Sequence, residues 1–212
     1  MSNFQFKVVK WRSSSAAEWL ETWARLSQPE EEVRYRKLIA DRGSLSPEYI
    51  VRVGRWKDSA ETDRKWRPNV ASVAYLVWMA AADVVSECPP DAGIANFLER
   101  WAERKYTDEY AAKGKRAEKR FGMSRATTLL HFISRGRYPI VDARVKTALA
   151  RITSAAVPKL TPTSYMEFYC PLLDRIAVEC GTESDRRKLD NALFYFGAWD
   201  PNKLGLDEVE VP

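Results

Sequence analysis

The stretch "FGMSRATTLLHFISRGRYPIVDARVKTALARI", residues 121–152, contains two amphipathic patterns separated by a loop with glycine and proline. The first pattern predicts a helix over 123–134 that packs through Ala126, Leu129, Leu130 and Ile133. The second begins directly after Asp142, a residue type favoured at helix N-caps, and turns Val145, Leu149 and Ile152 inward. The stretch therefore predicts two packed helices joined by a stiff loop, with a carboxylate at the start of the second helix.

Helical periodicity extends from this stretch in both directions along the chain. Capping residues and apolar stripes predict helices over 14–26, 29–43, 46–57, 70–87, 91–105, 107–121, 161–181 and 184–199. Only residues 4–9, "FQFKVV", alternate in the way typical of a strand. The sequence therefore predicts an all-α protein of roughly nine or ten helices.

Composition excludes several kinds of site. The 212 residues include three cysteines without a C-x-x-C pair and one histidine, His131. This excludes cysteine-only zinc and iron–sulfur sites and disfavours a metal site built on imidazole, so we expect neither metal nor cofactor. No apolar run approaches the roughly 18 residues of a membrane span, and the first residues lack a signal-peptide core. We therefore expect a cytoplasmic protein with reduced thiols that does not bind a membrane.

Positive charge is concentrated in one part of the chain. Residues 113–151 contain eleven Lys or Arg and two acids, Glu118 and Asp142, although the whole chain has a net charge of only +5. A local excess of this kind is expected where a surface meets a polyanion. A solvated basic face with no partner is the alternative that charge alone leaves open.

The aromatic residues fall into two groups. Four tryptophans lie on apolar helical stripes and are predicted to be core residues: Trp19, Trp23, Trp78 and Trp101. Trp56 and Trp66 flank a polar, basic segment, where packing and stacking on a base are equally good interpretations, so they are weak candidates for a substrate pocket. His131 lies between Leu130 and Phe132, which favours a structural role.

The turn "KRFGMS" at residues 119–124 has the composition of a phosphate-binding turn. Gly122 allows the chain to reverse between two predicted helices and lets backbone N–H groups face outward. Those donors and the helix dipole suit a phosphate, and Arg120 and Arg125 lie on either side.

A hairpin glycine followed about twenty residues later by Gly-x-x-Pro-x-x-Asp resembles the helix-hairpin-helix–Gly/Pro–Asp superfamily of DNA glycosylases. "PIVDARVKTALARI" is particularly similar to the aspartate helix of the adenine-specific members. The resemblance covers roughly 35 residues. It implies that residues 1–212 form one glycosylase-like unit of two helical lobes, with the active site in the cleft between them. The central lobe would span 45–135 and end in the hairpin, and the second lobe would combine 1–44 with 136–212.

The resemblance implies that Asp142 is the catalytic carboxylate, and the physical chemistry of the reaction agrees. Cleavage of an N-glycosidic bond develops positive charge on the sugar, which a fixed carboxylate stabilises while it orients or deprotonates water. A helix N-terminus favours the ionised form that both roles need. The alternative is that Asp142 is only an N-cap.

The sequence departs from the family pattern at three points. The hairpin has only Gly122, where the family usually has two glycines and a proline. Ser124 occupies the place where bifunctional members have the lysine that forms a Schiff base, so the resemblance implies a monofunctional enzyme that uses water. The four-cysteine iron–sulfur loop of several relatives is missing.

These observations predict a monomeric DNA glycosylase that flips a damaged, mismatched or modified base out of double-stranded DNA and hydrolyses its glycosidic bond. A modified base of phage DNA, excised in antiviral defence, is a possible substrate as well as a base in DNA repair. The predicted DNA contacts are Arg120, Gly122, Ser124, Arg125, Arg144 and Lys146. Two alternatives remain: a non-catalytic helix-hairpin-helix DNA-binding module, and a helical protein-binding scaffold with an incidental basic face.

Overall fold

The computed structural model describes residues 15–42, 45–59, 78, 88–108, 117–183 and 185–199. Its helices are α1 (Ala16–Ala24), α2 (Pro29–Ala40), α3 (Pro47–Ser59), α4 (Ile94–Ala102), α5 (Gly122–Ile133), α6 (Ala143–Thr153), α7 (Pro162–Ser164), α8 (Cys170–Glu179) and α9 (Arg186–Ala198). A 3₁₀ turn, Asp91–Gly93, precedes α4, and a π-helical turn, Tyr165–Tyr169, joins α7 to α8. The prediction of an all-α protein is confirmed for these residues, apart from one short hairpin. None of the described helices is long and apolar enough to cross a bilayer.

Helix α5 lies at the centre of the core, as its sequence predicts. Its residues 126–133 are all buried, including the four apolar side chains expected to pack. The tryptophans predicted to be core residues are buried as well, each less than 8% exposed: Trp19, Trp23, Trp78 and Trp101. The apolar stripe of α6 is also confirmed, since Val145, Leu149 and Ile152 are buried.

Helices α6 and α9 pack in unusually close contact. A Cβ placed on Gly197 of α9 would lie 1.9 Å from the carbonyl oxygen of Arg144 on α6, so only glycine fits there. On another side of α9, Phe196 makes edge-on contacts with Trp19 and Trp23 of α1, with ring centroids 5.5 and 5.1 Å apart. Helix α9 is thereby held between α1 and α6.

The helix predicted over 107–121 is wrong at both ends of the segment, the parts of it that the structure describes. Residues 105–108 and 117–120 form an antiparallel pair, β1 (Lys105–Asp108) and β2 (Ala117–Arg120), in which Lys105 is opposite Arg120. Tertiary contacts override the helical propensity of this segment. The N–H of Phe121 donates to the Arg104 carbonyl at 2.8 Å, and the Phe121 ring packs edge-on against Trp78 at 5.0 Å.

Three other predicted elements are a helix that is interrupted in the structure and two elements that lie wholly or largely outside the described residues. The segment 161–181 is interrupted by the π-helical turn, because Pro171 has no N–H to continue the regular bonding pattern. The strand predicted over 4–9 lies outside the described residues. Of the helix predicted over 70–87 only Trp78 is described, and it is helical and buried.

Candidate functional site

Asp142 is the N-cap of α6, and its carboxylate is fixed by three donors. The Oδ1 atom accepts hydrogen bonds from the N–H groups of Arg144 at 2.9 Å and Val145 at 3.1 Å. The Oδ2 atom accepts one from the Lys57 ammonium of α3 at 3.0 Å. The side chains of this ion pair are only 16% and 15% exposed, so water screens the pair weakly.

The loop that carries Asp142 is anchored by side chains of the surrounding helices. The Thr127 hydroxyl of α5 accepts the N–H of Val141 at 3.2 Å. The Tyr165 hydroxyl donates to the Pro139 carbonyl at 2.7 Å. Gly136, with φ of +81°, allows the sharp exit from α5, and its N–H donates to the His131 carbonyl. The orientation of Asp142 therefore depends on core residues as well as on its own helix.

His131 is a structural residue, as predicted. Its Nδ1 donates to the Tyr138 carbonyl at 2.7 Å, so its Nε2 accepts the hydroxyl of Tyr35 at 2.8 Å. Burial lowers the pKa of the imidazole to about 4, although the bond to Tyr138 opposes that change. The ring is neutral at physiological pH and fixes the loop before Asp142.

The carboxyl of Asp142 is held in the ionised form. Burial alone would raise its pKa, but the Lys57 ammonium and the backbone N–H donors outweigh burial and hold the pKa below its ordinary value of 3.8. The sequence did not indicate Lys57, because it lies 85 residues before Asp142 and in no recognisable motif. The structure also brings an amine to the carboxylate, which the sequence analysis did not expect.

Asp142 faces a cleft of about 610 Å³, a figure that includes space open to solvent. The lining residues come from α2, α3, α6, α9 and the loop before α6: Glu31, Trp56, Lys57, Ile140, Asp142, Arg144, Val145, Arg187, Asp190, Asn191, Phe194 and Tyr195. Three of them are aromatic, and six others have acidic or basic side chains. Such a lining suits a planar ligand with polar edges.

One wall of the cleft is built around Arg187. Its guanidinium lies 4.2 Å from the ring centroid of Tyr35 and 5.4 Å from that of Trp56. It forms an ion pair with Glu32 at 2.7 Å, and Asn191 donates to the same carboxylate at 2.9 Å. Trp56 also packs edge-on against Phe132, with centroids 5.0 Å apart. Trp56 thus combines core packing with a place in the cleft, whereas Trp66 lies outside the described residues.

Asp190 is a second carboxyl in the cleft, and its surroundings differ from those of Asp142. It is 8% exposed, and its Oδ2 atom is buried without a hydrogen-bond partner among the described residues. Burial raises the pKa of this carboxyl to about 7, although the nearby Arg187 and Arg186 oppose the change. Residue spacing gave no indication of this site, since α9 shows only an ordinary amphipathic pattern.

The predicted DNA contacts lie in two places. Gly122 begins α5 with φ of +80°, nothing lies within 4 Å of where a Cβ would be, and no side chain caps the helix. Ser124 is in its first turn, Arg125 donates to the Phe121 carbonyl at 3.4 Å, and Arg120 is exposed in an ion pair with Glu103. The other two residues are on α6. Arg144 lies in the cleft, 4.2 Å from the ring centroid of Phe194, and Lys146 is half-buried.

The predicted hairpin between two helices is wrong at this position. The element that enters Gly122 is strand β2, and the last described helix before it is α4. Pairing of β2 with β1 replaces the first helix of the expected motif. A helix start without a side-chain cap is retained at Gly122, and a helix N-terminus is the part of the motif that suits a phosphate.

The described residues contain no group of three His, Cys, Asp or Glu side chains placed to hold a metal ion. Comparison of the chain with known protein families, with curated protein sequences and with solved structures found no match.

Proposed function

We propose that this protein is a monofunctional DNA glycosylase, which flips a nucleotide out of duplex DNA and hydrolyses its glycosidic bond to leave an abasic site. The observation that carries the proposal is the carboxylate of Asp142, fixed by three donors and facing a cleft with aromatic walls. The family resemblance assigns the catalytic role to the same residue.

Asp142 has the properties that glycosidic hydrolysis requires. The sugar becomes positively charged as the bond to the base breaks, and an ionised carboxylate close to C1′ stabilises that charge. The low pKa of Asp142 keeps it ionised. The backbone donors hold Oδ1, so the Oδ2 edge, shared with Lys57, is the part that approaches sugar or water. The same edge can accept a proton from the attacking water.

The cleft has the chemistry of a base pocket. Trp56, Phe194 and Tyr195 offer aromatic faces for stacking, and the side chains of Asn191, Asp190 and Arg187 offer polar atoms for the edges of a base. A flipped base loses its stacking and pairing partners in the duplex, and such a pocket replaces both. The substrates we propose are damaged, mismatched or modified bases, in DNA repair or in defence against phage DNA.

Binding to DNA is supported by charge and by the start of α5. The uncapped N–H groups at Gly122 suit a phosphate, and Arg120 and Arg125 supply positive charge beside it. Together with the basic segment 113–151 they support a duplex-binding face. We propose the two-lobed arrangement of the family, with DNA across the cleft.

The test is base release by Asp142→Asn. Purified wild-type protein is incubated with duplexes that contain uracil, hypoxanthine, 8-oxoguanine, 5-hydroxymethyluracil or mismatched adenine, and alkali then reveals abasic sites. We expect the Asn variant to lose release by at least about 10²-fold with DNA affinity retained, because it keeps the cap and loses the charge.

A matched control for this test is Asp185→Asn. Asp185 is the N-cap of α9, it accepts the N–H of Lys188 at 3.2 Å, and it does not line the cleft. Loss of release in Asp142→Asn but not in the control assigns the effect to the cleft rather than to capping. Wild-type protein that binds DNA and releases no base from any duplex supports the non-catalytic DNA-binding module instead.

A further inference from the structure

The two carboxyls of the cleft belong to different helices, and they differ in the hydrogen bonds that their oxygens accept. Asp142 of α6 accepts three hydrogen bonds from an ammonium and two backbone N–H groups. Asp190 of α9 is buried, and its Oδ2 atom has no hydrogen-bond partner among the described residues. A buried carboxylate without donors is unstable, so the surroundings favour the neutral acid at Asp190.

The cations near Asp190 do not change this conclusion, because each is paired with another carboxylate. Arg187 pairs with Glu32, Arg186 with Asp174, and Lys57 with Asp142. The remaining ionisable neighbours are Asp142, whose charge disfavours ionisation of Asp190, and the buried hydroxyls of Tyr35 and Tyr165. Among the described residues, Asp190 thus has no counter-ion of its own, and it lies in a site that holds another carboxylate.

We propose that Asp190 is the general acid of the glycosylase reaction, carrying a proton in the free protein and donating it to the departing base. This inference rests on the proposed function and assigns the two carboxyls separate tasks. Such a division is common where one acid is held neutral in an apolar site and its neighbour stays ionised.

The proton and electron balance of the step is complete with water as the only co-reactant. The bond between C1′ and the base nitrogen breaks, and its electron pair goes to the base. The proton of Asp190 goes to a basic nitrogen or oxygen of the base. The oxygen of water bonds to C1′ and its proton goes to the Asp142 carboxylate, after which solvent returns Asp190 to the acid form and removes the proton from Asp142.

The role of Asp190 defines the class of substrate. An uncharged base is a poor leaving group until it is protonated, so a general acid accelerates its departure. A base that already has a positive charge, such as an N7-alkylated purine, has no need of that proton. We therefore assign uncharged bases with a protonatable nitrogen or carbonyl oxygen as substrates of this cleft.

The experiment compares wild type, Asp190→Asn and Asp190→Glu in single-turnover base release from about pH 5 to about pH 9. The substrates are the duplexes named above, each of which contains an uncharged target base. We expect the wild-type rate to fall as pH rises through about 7, where the acid form of Asp190 is lost. Asp190→Asn should be slower by at least about 10²-fold at low pH and should lack this fall. Asp190→Glu should recover part of the rate, and DNA affinity should be equal in all three proteins.

Carbon-13 NMR of the side-chain carboxyls in DNA-free protein gives a readout independent of activity. The signal absent from Asp190→Asn identifies Asp190, and we expect its pKa to be near 7 and to be lower in Asp142→Asn, because the Asp142 charge raises it. Titration of Asp190 in the ordinary range of aspartate, or an Asp190→Asn variant with the wild-type rate and pH profile, overturns the acid role alone. A wild-type protein that releases no base from any duplex overturns the glycosylase assignment as well.

Discussion

Burial of the Asp190 carboxyl has a measurable cost to the stability of the folded protein at neutral and alkaline pH. The pKa of this carboxyl is 3.8 in its ordinary state and about 7 in the folded protein. Since the folded value is raised, the folded state is fully favoured below the ordinary pKa and loses stability as pH rises through the folded pKa. Replacement of Asp190 by Asn removes this loss, because an amide does not ionise in either state.

The size of the effect follows from the gap between the two pKa values. Each pH unit between them changes the free energy of unfolding by about 1.4 kcal/mol, so the gap corresponds to at most about 4 kcal/mol. Relative to wild type, Asp190→Asn should gain stability steadily from about pH 4 to about pH 7 and then keep a constant advantage. Burial of the amide changes the free energy of unfolding by an amount that does not depend on pH. The prediction therefore concerns the slope of the free energy of unfolding against pH.

The assay is unfolding in urea at several pH values, followed by tryptophan fluorescence and far-ultraviolet circular dichroism. The eight tryptophans, several of them in the core, give a strong signal. Asp185→Asn serves as the control, because it makes the same substitution at an exposed N-cap of the same helix, outside the cleft. Parallel stability profiles for wild type and Asp190→Asn would show that Asp190 is not held neutral and would refute the reasoning.

Three further predictions concern the same site and the DNA-binding face. Lys57→Met should raise the pKa of Asp142, because it removes the ammonium that lowers this pKa. The rate of base release should then decline at a higher pH on the acidic side of its pH profile. An unchanged acidic side of the profile contradicts this prediction. DNA affinity should fall steeply with salt, and charge-removing substitutions at Arg120 and Arg125 should each reduce the slope of log affinity against log salt by about one; unchanged slopes in both would exclude the start of α5 as the phosphate contact. Borohydride should trap no enzyme–DNA adduct at the rate of base release, because Ser124 is no amine and the amine of Lys57 is engaged in an ion pair with Asp142. Rapid trapping that disappears in Lys57→Met would identify a bifunctional enzyme.

The parts of the site that the sequence predicted are those with short-range signals. The position of Asp142 at the start of α6 was predicted from a pattern of Gly136, Pro139 and Asp142 that spans seven residues. The buried tryptophans were identified from helical stripes, which depend on local periodicity. Both patterns can be recognised in the sequence without knowledge of tertiary contacts.

The parts that the sequence did not predict depend on contacts between distant segments. Lys57 meets Asp142 only because α3 packs beside the start of α6, and Asp190 is buried only because α9 packs against α6. The segment 107–121 has a helical composition, yet its described residues 107–108 and 117–120 are paired as parts of β1 and β2. Long-range pairing of this kind has no signature in residue spacing.

The contact of Gly197 with the Arg144 backbone restricts how the cleft can open. With no side chain between them, α6 and α9 cannot come closer at this point without a collision of main chains, and this contact joins the helix that Asp142 caps to the helix that carries Asp190. The opposite wall of the cleft is formed by Trp56 and Lys57 at the end of α3. If this cleft takes up a base as we propose, ligand-induced changes in hydrogen exchange should be larger in α3 than in α6 and α9.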